Sequence, residues 1–261
     1  MKNDFEMIVH QFNKDIVIYP ISDVHLGSLE HNEEEWNKFV EKIKSEPNSY
    51  IILAGDLMNN STRSSVSNIF DEVMRPREQK KRLIKYLTPI RDRILCAVSG
   101  NHERRSIKDA DDDPMYDIMV KLDLEHLYRQ NIVFMKIQIG KERNGRREAY
   151  TFVVTHGTGG GIFTGATINR NERFSNVIDG LDCLIVGHTH KGTISKPSKI
   201  VIDPRNNVVT TKTVTVVSSQ SWLSYGGYAV QKMLLPASAA DSSSGQKLVL
   251  KRKEKCIQTI W

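Results

Sequence analysis

The apolar positions of this chain come in short bursts separated by longer amphipathic stretches. Residues 16–21, 50–54, 93–98 and 183–186 are compact apolar runs rich in β-branched residues, and each reads as a buried strand. Between them the period lengthens. Trp36, Phe39, Val40 and Ile43 share one face of a helix over residues 33–44, which Pro47 and Asn48 stop. A polar loop covers 59–65, helical patterning resumes to about residue 71, and it returns over 77–87. Asp113 as a cap ahead of Pro114 starts a helix over 114–121.

The second half is richer in strands. Residues 132–139 alternate, residues 149–155 follow, and Gly145 is placed to turn the hairpin within the charged segment 141–148. A glycine-rich loop over 158–165 leads to a helix over 169–178. Late strands are expected over 208–217, 228–235 and 247–257, with the small polar segment 236–245 as a mobile loop. Strands alternating with helices predict an α/β sheet packed between helices. The strand-rich second half predicts a second sheet facing the first.

Length and composition narrow this picture. A chain of 261 residues with 39% hydrophobic and 26% charged residues fits one globular domain spanning 1–261. Residues 104–130 are the candidate for a small cap or lid. No run approaches the ~20 apolar residues of a membrane span. Residues 1–10 contain Asp4 and Glu6 and lack the apolar core of a secretory signal. A cytoplasmic location and no membrane partner are therefore expected, and the oligomeric state is left open. Three cysteines match no zinc or redox spacing. Cys96 and Cys183 lie in strand-like runs and read as buried small hydrophobes, with no disulfide expected in a reducing compartment. The net charge of +6 is a mild pointer to anionic partners.

The candidate chemistry sits where strands end. Four predicted strands run into Asp23-Val24-His25, Gly55-Asp56, Gly100-Asn101-His102-Glu103 and Gly187-His188-Thr189-His190, and a fifth into His156-Gly157. In α/β sheets the functional crevice lies beyond the carboxyl ends of the strands, so these clusters are expected to converge. Five of the eight histidines lie in them. The other three, His10, His31 and His126, read as surface residues. Imidazole and carboxylate suit Mn²⁺, Fe²⁺ or Zn²⁺. A bridging carboxylate holds two such ions ~3.5–4 Å apart, which suits in-line displacement at phosphorus. Asp-x-His or Gly-Asp alone is weak, since Gly-Asp is common in turns. Five such clusters, each closing a strand, are far more specific.

In this order the motifs resemble those of the calcineurin-like metallophosphoesterase superfamily, over residues 23–190. The resemblance implies a four-layer α/β sandwich, two facing mixed β-sheets flanked by helices, and two divalent metal ions, with Mn²⁺ the first choice. It implies that Asp23, His25 and His190 hold one ion, that Asn101, His156 and His188 hold the other, and that Asp56 bridges them. It also implies attack by a metal-bridging hydroxide, with His102 assisting the leaving group.

The substrate is less legible. Phosphoprotein phosphatases of the superfamily carry G-D-x-x-D-R-G in the second block, where this chain has Asn59 and Asn60 in place of the Asp-Arg pair. Asp23-Val24-His25-Leu26-Gly27 and Gly55-Asp56-Leu57 look more like the SbcD-type nucleases and phosphodiesterases, although those usually have an aspartate where Glu103 stands. A phosphodiester of DNA, RNA or a nucleotide is therefore the expected substrate, with Asn59, Arg104 and Arg105 as candidate substrate-binding residues. Basic clusters at 75–82, 141–147 and 251–255 add modest support, although solvated helix faces and hairpin tips carry such charge without a partner. The alternatives are a phosphomonoesterase acting on protein or small molecules, and a metal-binding interaction module without catalysis.

Overall fold

The computed structural model describes residues 4–63, 65, 69–143, 146–231, 233–237, 239–243 and 245–261. Strands β1 (Met7–Phe12) and β2 (Ile16–Ile21) precede helix α1 (Glu33–Ser45) and strand β3 (Ser49–Leu53). Helix α2 (Pro76–Leu87) leads to β4 (Ile94–Val98), α3 (Glu103–Ala110), α4 (Pro114–Lys121) and β5 (Tyr128–Arg129). The long strands β6 (Ile132–Arg143) and β7 (Arg146–Thr155) are followed by α5 (Thr164–Asn176) and β8 (Cys183–Val186). Strands β9 (Thr193–Ser195), β10 (Ser198–Asp203), β11 (Val208–Thr213) and β12 (Thr215–Ser218) come next. The short helix α6 (Gly227–Gln231) and the strands β13 (Lys247–Leu250) and β14 (Ile257–Ile260) complete the order.

Two mixed six-stranded sheets form, ordered β14-β13-β2-β3-β4-β5 and β1-β6-β7-β8-β12-β9. In the first, β2, β3, β4 and β5 run parallel; in the second, β7, β8 and β12 do. One continuous buried cluster joins Ile18, Ile52 and Cys96 of the first sheet to Met135, Ile137, Phe152 and Ile185 of the second, so the sheets face each other. Helix α1 closes one outer side with Trp36, Phe39, Val40 and Ile43, the face its periodicity predicts. Helix α5 packs on β8, β9 and β12 on the other side. The expected α/β sandwich is therefore present, and Cys96 and Cys183 are fully buried within it. No helix among the described residues is long and apolar enough to cross a membrane.

Several sequence expectations need correction. The strand expected over 208–217 is two strands in different sheets: β11 pairs with β10 alone, whereas β12 enters the large sheet. Among the described residues no strand forms over 228–235, and α6 occupies the start of that segment. The one expected over 247–257 is a hairpin, with β13 pairing back on β14 from Leu250↔Ile257 outward. Helix α5 starts at Thr164 rather than 169. Of the helical pattern before residue 71, the described residues show a 3₁₀ turn at Ile69–Asp71. His10 and His31 are half-buried rather than simply exposed: the ring of His10 lies 2.8 Å from the Leu95 carbonyl, and that of His31 lies 2.8 Å from the Val24 carbonyl. The Gly145 turn lies outside the described residues.

Candidate metal centre

Parallel strands deliver their carboxyl ends to one edge, and there the motifs meet. β2 leads into Asp23, β3 into Asp56, β4 into Asn101, β7 into His156 and β8 into His188. The loops are laced together by backbone hydrogen bonds, from the N–H of Asp23 to the Gly55 carbonyl (3.1 Å) and from that of His25 to the Asp56 carbonyl (3.0 Å). Five of the donor residues, Asp23, His25, Asp56, His188 and His190, have positive φ, between 47° and 73°. Left-handed backbone at non-glycine residues costs on the order of 1–3 kcal/mol each and concentrates at functional sites. Gly100 allows the closest approach, because a Cβ there would fall 2.0 Å from Asp56 Oδ1.

Three overlapping groups of ligand atoms result, each within 4.8 Å: Asp23/His25/His190, His25/Asp56/His102 and Asp56/His156/His188. Asp56 belongs to two of them. Its Oδ2 lies 3.1 Å from His156 Nε2 and 3.9 Å from the Nε2 atoms of both His25 and His102. Its Oδ1 accepts the His102 N–H at 2.8 Å. Asp23 is held by the Ser22 hydroxyl and by the His188 N–H (2.9 Å) at Oδ2, leaving Oδ1 buried without a hydrogen bond.

The donor chemistry fits cations. His156 Nδ1 donates to the Ala54 carbonyl at 2.8 Å, which fixes the tautomer and turns the Nε2 lone pair inward. That lone pair faces Asn101 Oδ1 at 3.0 Å, Asp56 Oδ2 at 3.1 Å and His188 Nδ1 at 3.3 Å. The Nε2 atoms of His25 and His190 are 3.1 Å apart, with Asp23 Oδ1 3.3 Å from the latter. Acceptors crowded in this way need positive charge among them. The side-chain pKa values respond in the same sense. Burial pulls His156 down, but the Asp56 carboxylate outweighs it and leaves His156 raised to about 9. Burial would raise Asp56 and Asp23, yet their histidine neighbours hold both carboxylates well below the usual range.

His102 stands apart from the other donors. Its Nδ1 donates to the Asn59 carbonyl at 2.6 Å, and Arg105 Nη2 donates to its Nε2 at 3.0 Å. A guanidinium in that position disfavours a cation on the same nitrogen. Burial holds His102 down to about 3 against the pull of Asp56, so its ring is neutral here.

The sequence-based substrate residues separate. Arg105 reaches the cluster. Arg104 turns away and donates to the carbonyls of Ser99 (3.2 Å) and Gln130 (3.4 Å). The Asn59 side chain is tied to Glu72 at 3.0 Å, so its carbonyl rather than its amide meets His102. Asn60 donates to the His102 carbonyl at 2.8 Å. Elsewhere several of the basic side chains find acidic partners: Lys80 with Asp117, Arg82 with Glu33, Lys251 with Asp15 and Lys255 with Asp182. The side chains of Lys141, Arg143 and Arg146 lie outside the described residues.

Sequence reasoning gave Glu103 no role. It is fully buried and accepts the backbone N–H groups of Asp56 (2.9 Å), Met58 (3.0 Å) and Gly100 (2.8 Å). Its position in the Gly-Asn-His-Glu motif was the available signal.

Two facing mixed sheets that pool five histidines, two aspartates and an asparagine at one edge define a metallophosphoesterase. The family model for calcineurin-like phosphoesterases matches residues 16–192, and the chain belongs to that family. Family membership makes phosphoesters its substrate class. No curated protein matches. Among 27 solved chains that do is the crystal structure of a conserved uncharacterized protein, described as a predicted phosphoesterase, from Streptococcus pneumoniae TIGR4. It is 10% identical, with 94% of this chain and 97% of that chain covered and a TM-score of 0.37.

Proposed function

We propose that the chain is a dinuclear metal-dependent phosphodiesterase acting on nucleic acid or nucleotides. The observation that carries this reading is the position of Asp56, whose carboxylate is shared between the two groups of donors on either side of it. In this reading Asp23, His25 and His190 would hold one ion, Asn101, His156 and His188 would hold the other, and Asp56 would be shared between them. Mn²⁺ is the first choice, with Fe²⁺ and Zn²⁺ also suited to these donors. When bound, the pair supplies Lewis acidity and a nucleophilic water at neutral pH.

The remaining roles belong to the chain's own groups. The Asn59 carbonyl orients the His102 ring, a task given to a carboxylate in the phosphoprotein phosphatases. His102 Nε2 faces the cluster, where it would take a proton from the attacking water and pass it to the leaving oxygen. Arg105 offers its planar fork to a non-bridging phosphate oxygen. Arg104 braces the strand ends, and residues 1–261 act as a single domain with α3 as one wall of the site. One guanidinium beside the centre matches the single negative charge of a phosphodiester better than the dianion of a monoester.

The test compares bis-p-nitrophenyl phosphate with p-nitrophenyl phosphate, using metal-stripped protein re-supplied with Mn²⁺. Diester turnover is expected, and Asp56→Asn should lower it by at least about a hundredfold, the scale on which one electrostatic anchor is lost. Turnover of the monoester alone would replace this reading with a phosphatase. Two bound metals without turnover of either ester would favour a binding module.

A further inference from the structure

Two exposed aromatic side chains lie beside the segment that follows His190, and the chemistry above uses neither. Phe163 is 70% exposed and Trp261 is 54% exposed. Phe163 ends the glycine-rich loop at the start of α5. That loop is fastened to the site by Lys191, the residue after His190, whose ammonium donates to the carbonyls of Gly161 and Ile162. Trp261 approaches the next residue. A Cβ built on Gly192 would fall 2.8 Å from the Trp261 Cη2, so the indole lies against backbone that a side chain would obstruct. Lys191 therefore holds the loop that ends at Phe163, and Gly192 meets Trp261, directly after a metal-ligand candidate. Neither ring pairs with another ring among the described residues.

The charge of this wall is as informative as its rings. Residues 157–171 contain no acidic side chain, and neither do residues 183–202 or 257–261. Of the cations in these segments, Lys191 and Arg170 are turned onto carbonyls of the loop. Aromatic surface free of acidic side chains, beside a centre built for a phosphoester, suits a ligand with a flat π-face attached to a phosphate. A nucleobase has that form, and stacking on aromatic side chains tolerates any base.

We propose that Phe163 and Trp261, set on the Lys191–Gly192 segment, form a stacking subsite for the nucleobase of the substrate. The proposal rests on the reading of the centre as acting on nucleotidyl phosphodiesters and adds the group that distinguishes these from simple diesters. Its test has a readout apart from turnover. The chain has three tryptophans, and Trp36 and Trp222 are 0% and 2% exposed, so Trp261 is the one a ligand can quench. Protein supplied with Mg²⁺ is titrated with thymidine 5′-monophosphate and, separately, with inorganic phosphate. A saturable quench by the nucleotide is expected, with none from phosphate. Trp261→Phe should abolish the signal, and Phe163→Ala should weaken the apparent affinity about tenfold. In turnover, Phe163→Ala should raise KM about tenfold for p-nitrophenyl thymidine 5′-phosphate and leave methyl p-nitrophenyl phosphate within about twofold. An absent quench, an equal quench by phosphate, or equal losses on both esters would overturn the subsite. Nucleotide quenching in a protein that cleaves no diester would retire the diester reading and leave the subsite standing.

Discussion

At the scale of single residues, the Glu103 carboxylate takes three backbone N–H groups, two of them from the loop that carries Asp56. Burial, aided by the charge of Asp56, pushes its pKa up to about 7. A glutamine of the same shape keeps one carbonyl and aims an amide at N–H donors. Glu103→Gln should therefore cost about 1–3 kcal/mol, the range for leaving a buried polar group unmatched, as read from urea unfolding. It should also weaken metal binding by slackening the Asp56 loop; an unchanged midpoint would show that water replaces the lost acceptor. The metal-donor candidates were legible because each closes an apolar run. The inward turn of Glu103 was not, because a carboxylate behind a histidine looks the same whether it caps a loop or faces solvent. Nor could adjacency separate Arg104 from Arg105. Consecutive helical residues point about 100° apart, and only the packing of α3 shows which one meets His102.

At the scale of elements, β1 is the strand whose pattern was not singled out, and it brings a titratable group between the sheets. β1 pairs with β6 in one sheet, and its His10 ring reaches the Leu95 carbonyl on β4 of the other. Burial holds His10 below its ordinary value of 6.5. The folded chain therefore binds fewer protons at this site than the unfolded chain. Stability should be level above that pH, then fall as pH drops through 6.5 toward the folded value. The urea midpoint should decline between pH 7.5 and 5.5, and His10→Asn should remove part of the decline. An identical slope in the variant would assign the effect elsewhere, with His31 next to test, since burial lowers its pKa too. The compact strands and α1 were legible because a buried face imposes its period on the sequence. The late strands were misjudged for a related reason. β11 and β12 run together as one β-rich stretch, with Val214 between them and no glycine or proline to mark where the chain changes sheets.

At the scale of the whole molecule, the two sheets bring their strand ends together around crowded acceptors, and the left-handed backbone of five donor residues adds strain. Cations that bind the folded chain alone should relieve this crowding. Chelation is expected to lower the calorimetric Tm. Re-supplied Mn²⁺ at a hundredfold excess over its dissociation constant should return about 2.7 kcal/mol. Asp56→Asn should blunt that response, whereas a Tm indifferent to both chelator and Mn²⁺ would mean the donors do not act together.

The β10–β11 hairpin lies apart from all of this. It leaves the large sheet after Ser195 and returns at Thr215, and Ser195 is already paired with Val216 across the antiparallel β9–β12 ladder. Its contacts with the body include Lys199–Asp179 and Lys212–Asp182, at the end of β8 remote from the metal centre. In topological terms the excursion is a closed detour whose entrance and exit adjoin. A tight turn joining β9 directly to β12 would keep the register of both, so the catalytic frame is complete without it and the hairpin is a module that this fold can gain, lose or exchange.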